Sequence, residues 1–217
     1  VTTLTWNDTI EKRYETGVRR GVFYPKSGLA EVWDGLVSVV EGFVGGEQTP
    51  RYYDGVKYID LQTSRNYKAN LVTFSTPPSF GPCLGDVSAR PGFIITRQPK
   101  TIFDFSYQTL IGDDIGYKIH LIYNASVVPG SKSYASLSDT PSAPTMDWTI
   151  NAVPIFSEIH KPSAHFIVDS TKVDPYVMVD FEGLLYGSDT KTPEMFNPTE
   201  IASILGNVIT EPLSEPV

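Results

Sequence analysis

Polar and apolar residues alternate along much of this chain, and a period of two is commoner than one of 3.6. The clearest case runs from Tyr117 to Tyr123. Tyr117, Ile119, Leu121 and Tyr123 fall on one face, Lys118 and His120 on the other. Val56 to Leu61 alternates in the same way. Ile102 to Thr109 sets Phe103, Phe105 and Tyr107 against Ile102, Asp104, Ser106 and Gln108. Leu36 to Val40, Lys68 to Phe74, Phe93 to Thr96, Trp148 to Ile155 and His165 to Asp169 are further runs of strand-forming residues. Turn signals at Gly45-Gly46, Asp54-Gly55, Pro77-Pro78, Gly81-Pro82 and Pro129-Gly130 separate them. Asp113 to Gly116 reads as the tip of a hairpin. Many short strands with regular turns predict a mainly β fold, a sandwich or barrel.

Helical spacing comes late. Asp174-Pro175 reads as an N-cap followed by proline at the first helical position, and Val177, Phe181, Leu184 and Leu185 recur behind it. Gly187 is placed to end that helix. Asn197-Pro198-Thr199-Glu200 repeats the start signal, with Ile201, Ile204, Leu205 and Val208 as the apolar stripe. One flanking helix and a short C-terminal helix are therefore predicted. Three stretches read as long loops: Gly42 to Tyr53, Thr76 to Pro91 and Val128 to Thr145. No linker divides the chain. A single domain over residues 1–209 is expected, followed by an acidic, mobile tail from Thr210 to Val217.

Composition narrows the class. At 217 residues the chain can bury a core without staples, and 41% hydrophobic with 19% charged residues is a globular balance. Cys83 is the only cysteine, which excludes an intramolecular disulfide or a cysteine zinc cluster and fits a reducing compartment. No stretch approaches the ~20 apolar residues of a membrane helix. The polar start, Val1 to Asp8, has no apolar signal core, so a soluble protein made in the cytoplasm is expected. The net charge of −8 argues against a protein built to grip nucleic acid. That charge is concentrated: residues 169–217 hold nine acidic and two basic side chains. One surface of the fold is expected to be acidic.

Candidate chemistry is sparse. His160 and His165 flank Pro162 and match no zinc-ligand spacing, while His120 sits mid-strand; ordinary histidines, and no metal, are expected. Asp113-Asp114 is better read as turn chemistry than as a catalytic pair. Glu158 or Asp180 could serve as a second acid, but spacing gives no separation between them. Nucleophile elbows, Walker loops and dinucleotide fingerprints are absent from the sequence. Cys83, in a Pro/Gly loop, has no assignable base. No catalytic residue and no cofactor are expected.

One ordered set of short motifs stands out. It begins Arg13-Tyr14-Glu15-Thr16-Gly17-Val18, then Arg20-Gly21-Val22 and Tyr24-Pro25. Trp33-Asp34-Gly35-Leu36 and Tyr53-Asp54-Gly55-Val56-Lys57-Tyr58 follow. Then come Tyr107, Thr109, Ile111-Gly112-Asp113 and Gly116 through Ala125. Trp148, Pro154, Ala164-His165, Asp169-Ser170 and Leu184-Leu185-Tyr186-Gly187 complete it. In order and spacing, from Trp6 to about Leu205, this resembles the major tail proteins, or tail tube proteins, of long-tailed bacteriophages, in the group common in phages of Gram-positive hosts. Two positions depart from the pattern: Arg19 stands where an acidic residue is expected, and Gln108 where an arginine is.

The resemblance implies a β-sandwich or barrel whose copies form hexameric rings stacked into a tube. That tube conducts DNA as passing cargo, without specific binding. The implied partners are further copies of the chain, a tape measure protein, and the tail terminator and distal tail proteins, with no membrane. The implied location is the virion tail, assembled in the host cytoplasm. Ring stacking needs extended arms, and Gly42 to Tyr53 is the candidate, with Phe43, Arg51, Tyr52 and Tyr53 as inter-subunit contacts. An acidic lumen would let DNA slide, so acidic side chains are expected to outnumber basic ones there. The alternatives are another tail ring protein (distal tail or terminator), a carbohydrate-binding β-sandwich, and a small β-sandwich hydrolase with two facing carboxylates.

Overall fold

A computed structural model of the chain describes residues 14–62, 65–112, 115–132, 144–157 and 161–206. The predicted hairpin tip at Asp113-Asp114, Glu158, His160, the N-terminal stretch and the acidic tail lie outside the described residues. The fold is mainly β, as the alternating pattern predicts. In chain order the strands are β1 (Glu15–Pro25), β2 (Glu31–Val32), β3 (Leu36–Gly45), β4 (Gln48–Tyr53), β5 (Val56–Gln62) and β6 (Arg65–Thr73). After a short helix, α1 (Gly81–Leu84), come β7 (Val87–Arg90), β8 (Phe93–Ile95), β9 (Phe103–Ile111), β10 (Gly116–Pro129), β11 (Met146–Ala152) and β12 (His165–Asp169). Two helices close the described chain, α2 (Pro175–Leu185) and α3 (Pro198–Leu205).

Eight strands form one antiparallel sheet in the order β2-β1-β9-β10-β11-β6-β3, with β12 on β10. Strand β10 is the spine. Its first half pairs with β9 and β12, its second half with β11. The change of partner falls at an irregularity between Ile122 and Ala125, where Asn124 takes a left-handed φ of 48°. The Trp33 N–H donates to the Gly21 carbonyl at 2.8 Å, one rung beyond the β1–β2 pair, and the start of β3 comes back close to β1. A Cβ on Gly21 would meet Trp33 and Leu36 at 3.1–3.3 Å, so glycine is needed for that approach.

The curled sheet has two buried faces. One is an aromatic core of Phe23, Trp33, Phe80, Phe103, Phe105 and Trp148, with Trp33 and Phe80 ring centres 4.8 Å apart. The other packs Ile119, Leu121 and Tyr123 against Met178, Phe181 and Leu185 of α2 and Ile201 of α3. The face predicted for Tyr117 to Tyr123 is thus the helix-facing one. The opposite face, with His120 and Ile122, is buried as well.

Polar side chains of β1 and β9 meet the end of α2, although Gln108 Oε1 is buried without a hydrogen-bond partner among the described residues. Tyr24 donates to the Leu185 carbonyl at 2.8 Å, and the Gln108 amide donates to the Tyr186 hydroxyl at 3.1 Å. Gln108 is paired in register with Arg19, so the two residues that depart from the tail-protein pattern face each other across β1 and β9. Both helix starts are as predicted. Asp174 accepts from the Tyr176 N–H, and Asn197 and Glu200 form a reciprocal capping box.

Four expectations change, and one is that the stretch from Thr76 to Pro91, read as a loop, holds α1 and strand β7. Strand β1 was not predicted as a strand, because bulges around Arg19 break its alternation, with Gly17 and Arg20 left-handed. The stretch Gly42 to Tyr53 is not a loop: β3 continues through Gly45 and β4 begins at Gln48. Phe43, Val44, Tyr52 and Tyr53 are good strand formers, and the glycines only turn the chain between them. Strand β11 stops at Ala152, short of the predicted Ile155, because Pro154 cannot extend a ladder.

Replacement of the fully buried Phe181 by alanine is expected to cost about 3–5 kcal/mol in urea unfolding. Tyr176→Ala on the same helix, at a residue 84% exposed, should change stability by no more than about 0.5 kcal/mol.

Candidate functional site

Strands β4 and β5 form a two-stranded sheet of their own and pack chiefly on each other. Their register runs from Gln48 opposite Gln62 to Tyr53 opposite Val56. Asp54 and Gly55 turn the hairpin with φ of 47° and 78°, the paired left-handed backbone of tight hairpin turns. Pro50 is tolerated because β4 is an edge strand. This arm carries apolar groups into solvent: Tyr52 is 66% exposed, Tyr53 70% and Tyr58 79%. Tyr53 and Tyr58 rest on each other with ring centres 6.3 Å apart. Arg51 is exposed on the same strand, and Lys57 pairs with Asp60. An isolated hairpin is marginal in water, and an exposed apolar patch on it marks an interaction surface.

Of the four residues singled out in sequence, three sit on this arm. The fourth, Phe43, lies on β3, where its ring packs edge-on to Tyr67 and under the Arg65 guanidinium at 5.2 Å. A second small hairpin, β7–β8, exposes Val87, Phe93, Ile94 and Ile95. Only the β propensity of Phe93 to Thr96 signals it in the sequence. Among the described residues, strand β3 pairs on one side only, with β6, and it exposes Val37, Val40, Phe43 and Val44.

A partly buried polar cluster lies elsewhere, and sequence reasoning missed it. Tyr107 and His120 are direct partners on β9 and β10, and their rings stack 4.6 Å apart. His165 on β12 is the diagonal neighbour of His120, whose partner in register is Ile167. Glu41, on β3, reaches across the curled sheet to all three. Tyr107 donates to its Oε1, the His120 Nδ1 lies 3.0 Å from that atom, and the His165 Nε2 lies 3.6 Å from it. The two imidazole nitrogens are 3.1 Å apart, and Thr109 Oγ1 meets the other nitrogen of His120 at 3.0 Å.

Burial pushes the Glu41 carboxyl up, but the hydrogen bonds from His120 and Tyr107 outweigh it and hold the group at about 2. Burial pushes His165 down to about 4 against the pull of Glu41, so its imidazole is neutral near pH 7. A separate open cleft of about 670 Å³ is lined by Asp86, Arg97, Lys100 and Asp147 among others, and the histidine cluster is not part of it.

No protein-family model matches the chain, and no curated protein does. Two solved structures are similar over most of its length. One is the tube-terminating cap of the anti-feeding prophage, at 14% identity and a TM-score of 0.36, covering 69% of this chain and 88% of that one. The other belongs to the sheath–tube complex of an extracellular contractile injection system in its extended state. It shows 13% identity and a TM-score of 0.34, covering 76% of this chain and 99% of that one. Superpositions this loose carry no argument about function.

The two shifts act on stability in one direction. An ordinary histidine gains its proton near 6.5, whereas folded His165 gains one near 4. Between those values the unfolded chain holds the extra proton, so stability falls as pH falls. Glu41 adds a contribution present above about 4.5 and lost as pH drops through about 2. In chelator-containing buffer the melting temperature is expected to decline from pH 6.5 to 4, with a shallower slope in His165→Gln. A flat wild-type profile would contradict a buried neutral imidazole.

Proposed function

We propose that this chain is a non-catalytic structural subunit of a phage tail or tail-like particle, a tail-tube protein that assembles with copies of itself into stacked hexameric rings. The observation that carries the proposal is the β4–β5 arm. It is a two-stranded hairpin that displays Arg51, Tyr52, Tyr53 and Tyr58 to solvent and has little support within its own chain. Arginine and tyrosine are enriched where interfaces hold most of their energy. The one-sided edge of β3 adds a second surface suited to pairing between subunits. The ordered motifs from Arg13 to Gly187 agree with this reading.

In the assembly so proposed, arms link one ring to the next and strand edges close each ring. The acidic stretch over residues 169–206 is a candidate lumen lining, past which DNA moves without counterion release. Tape measure, terminator and distal tail proteins are the further partners.

Negative-stain microscopy of the concentrated protein at low salt, with and without preformed tail tips as seeds, tests this. Tubes or stacked rings with an open lumen are expected. The Tyr52→Ser, Tyr53→Ser double variant should keep the wild-type melting temperature, because both rings are exposed, and should remain as small particles. Normal tubes from that variant would remove the arm from the interface. Wild-type protein that stays monomeric even with seeds would overturn the self-assembly reading. Single closed rings that never stack would point to a terminator or distal tail protein instead.

A further inference from the structure

We infer that Glu41, His120 and His165 form a binding site for a divalent first-row transition metal of the zinc class, set where β3 folds over β10 and β12. The three donor atoms are Glu41 Oε1, His120 Nδ1 and His165 Nε2, and their separations are 3.0, 3.1 and 3.6 Å. Four ligands placed tetrahedrally around zinc at its usual bond lengths stand ~3.3 Å apart. The triangle therefore has the dimensions of one face of such a shell. Two imidazoles and a carboxylate are also the donor types that zinc, cobalt and nickel accept.

Protons alone serve this triangle poorly. With one proton on His120 Nδ1, the Glu41 oxygen and the His165 nitrogen face each other as two lone pairs. With the proton on His165, the oxygen and the His120 nitrogen do so at 3.0 Å. With protons on both, the two N–H groups compete for the one Glu41 oxygen, to which Tyr107 already donates. A cation at the centre meets all three lone pairs at once. The surroundings fit that use. Thr109 Oγ1 lies 3.0 Å from His120 Nε2, so in the tautomer that donates from Nε2 to this oxygen Nδ1 would be free to ligate. Tyr107 orients the carboxylate by donating to it. Tyr67, 3% exposed, covers the site with its ring tilted against that of His165 at 4.7 Å between centres. The bound ion would clip the edge strand β3 to the centre of the sheet, and by mass action it would stabilise only the folded chain.

The test uses full-length protein stripped with a chelator and then titrated with zinc and cobalt. One equivalent per chain is expected, with a higher melting temperature and, for cobalt, the visible absorption of a four-coordinate ion. Glu41→Gln keeps the side-chain shape and should weaken binding by about a hundred-fold or more. Thr109→Val, acting through His120, should weaken it by about 10–100-fold. His165→Gln removes a ligand outright, and circular dichroism confirms that each variant is folded. Failure of the wild type to take up either metal, or affinity unchanged in folded Glu41→Gln and His165→Gln, would overturn the site and leave a purely hydrogen-bonded cluster. Neither result bears on tube assembly, which the arm variant reads separately.

Discussion

The architecture turns on the point where β10 changes neighbours, and a buried carboxylate holds that point. Asp104, on β9, accepts the Asn124 N–H at 2.8 Å, and Lys26 donates to both of its oxygens at 2.8 and 2.7 Å. Asn124 is the left-handed residue of the irregularity, so its amide has left the regular ladder and needs a partner. A charged acceptor supplies a stronger bond than a neutral one. Because Asp104 is mostly buried, it in turn needs the lysine. Below this pin β10 serves β9 and β12 and presents Ile119 and Leu121 to the helices. Above it, β10 serves β11 and closes the aromatic core around Phe80 and Trp148. Both cores depend on one strand crossing from one set of partners to the other.

Local features of the fold were legible in the sequence, and features that depend on register were not. Strict alternation identified the helix-facing side of β10, and Asp174-Pro175 and Asn197-Glu200 identified both helix starts, because each signal lies within a few residues of its effect. Strand β1 escaped because its bulges at Gly17 and Arg20 destroy the period. The arm was singled out in sequence as a candidate contact but misread as a loop, because glycine and proline outweighed the strand formers beside them. The histidine cluster was beyond reach altogether. It joins Glu41, Tyr107, His120 and His165 from four strands, and only the pairings of β9, β10 and β12, with the curl that returns β3, bring them together. The sequence invites comparison of His160 with His165, five residues apart, whereas His165 meets His120, 45 residues away.

The distribution of tyrosine separates what holds the subunit from what it offers. Tyr24, Tyr107 and Tyr123 are buried at the meeting points of strands and helices, where ring and hydroxyl both have uses. Tyr24 and Tyr123 donate to the carbonyls of Leu185 and Phe196, tying the helical layer to the sheet. Tyr52, Tyr53, Tyr58 and Tyr176 are exposed, and removing them would leave both cores intact. Such a division is a sign of a surface kept for a partner, since nothing in the subunit's own packing requires it.

The Glu41 contact joins these two sides. Glu41 lies on the strand whose outer edge is unpaired among the described residues, and its side chain is drawn inward to Tyr107 and the histidines. An edge strand with a mobile backbone would pair in shifted registers, since its exposed Val37, Val40 and Val44 impose little preference of their own. With Glu41 anchored at mid-strand, β3 has one position relative to the central strands, and the donors and acceptors along its free edge are set in one register. A subunit that closes a ring by edge pairing needs that property before it meets its neighbour, because a register error of one residue would turn every side chain at the joint to the wrong face. In the proposed assembly the partly buried cluster and the outer edge are therefore parts of one device: the cluster fixes the strand, and the fixed strand specifies the joint.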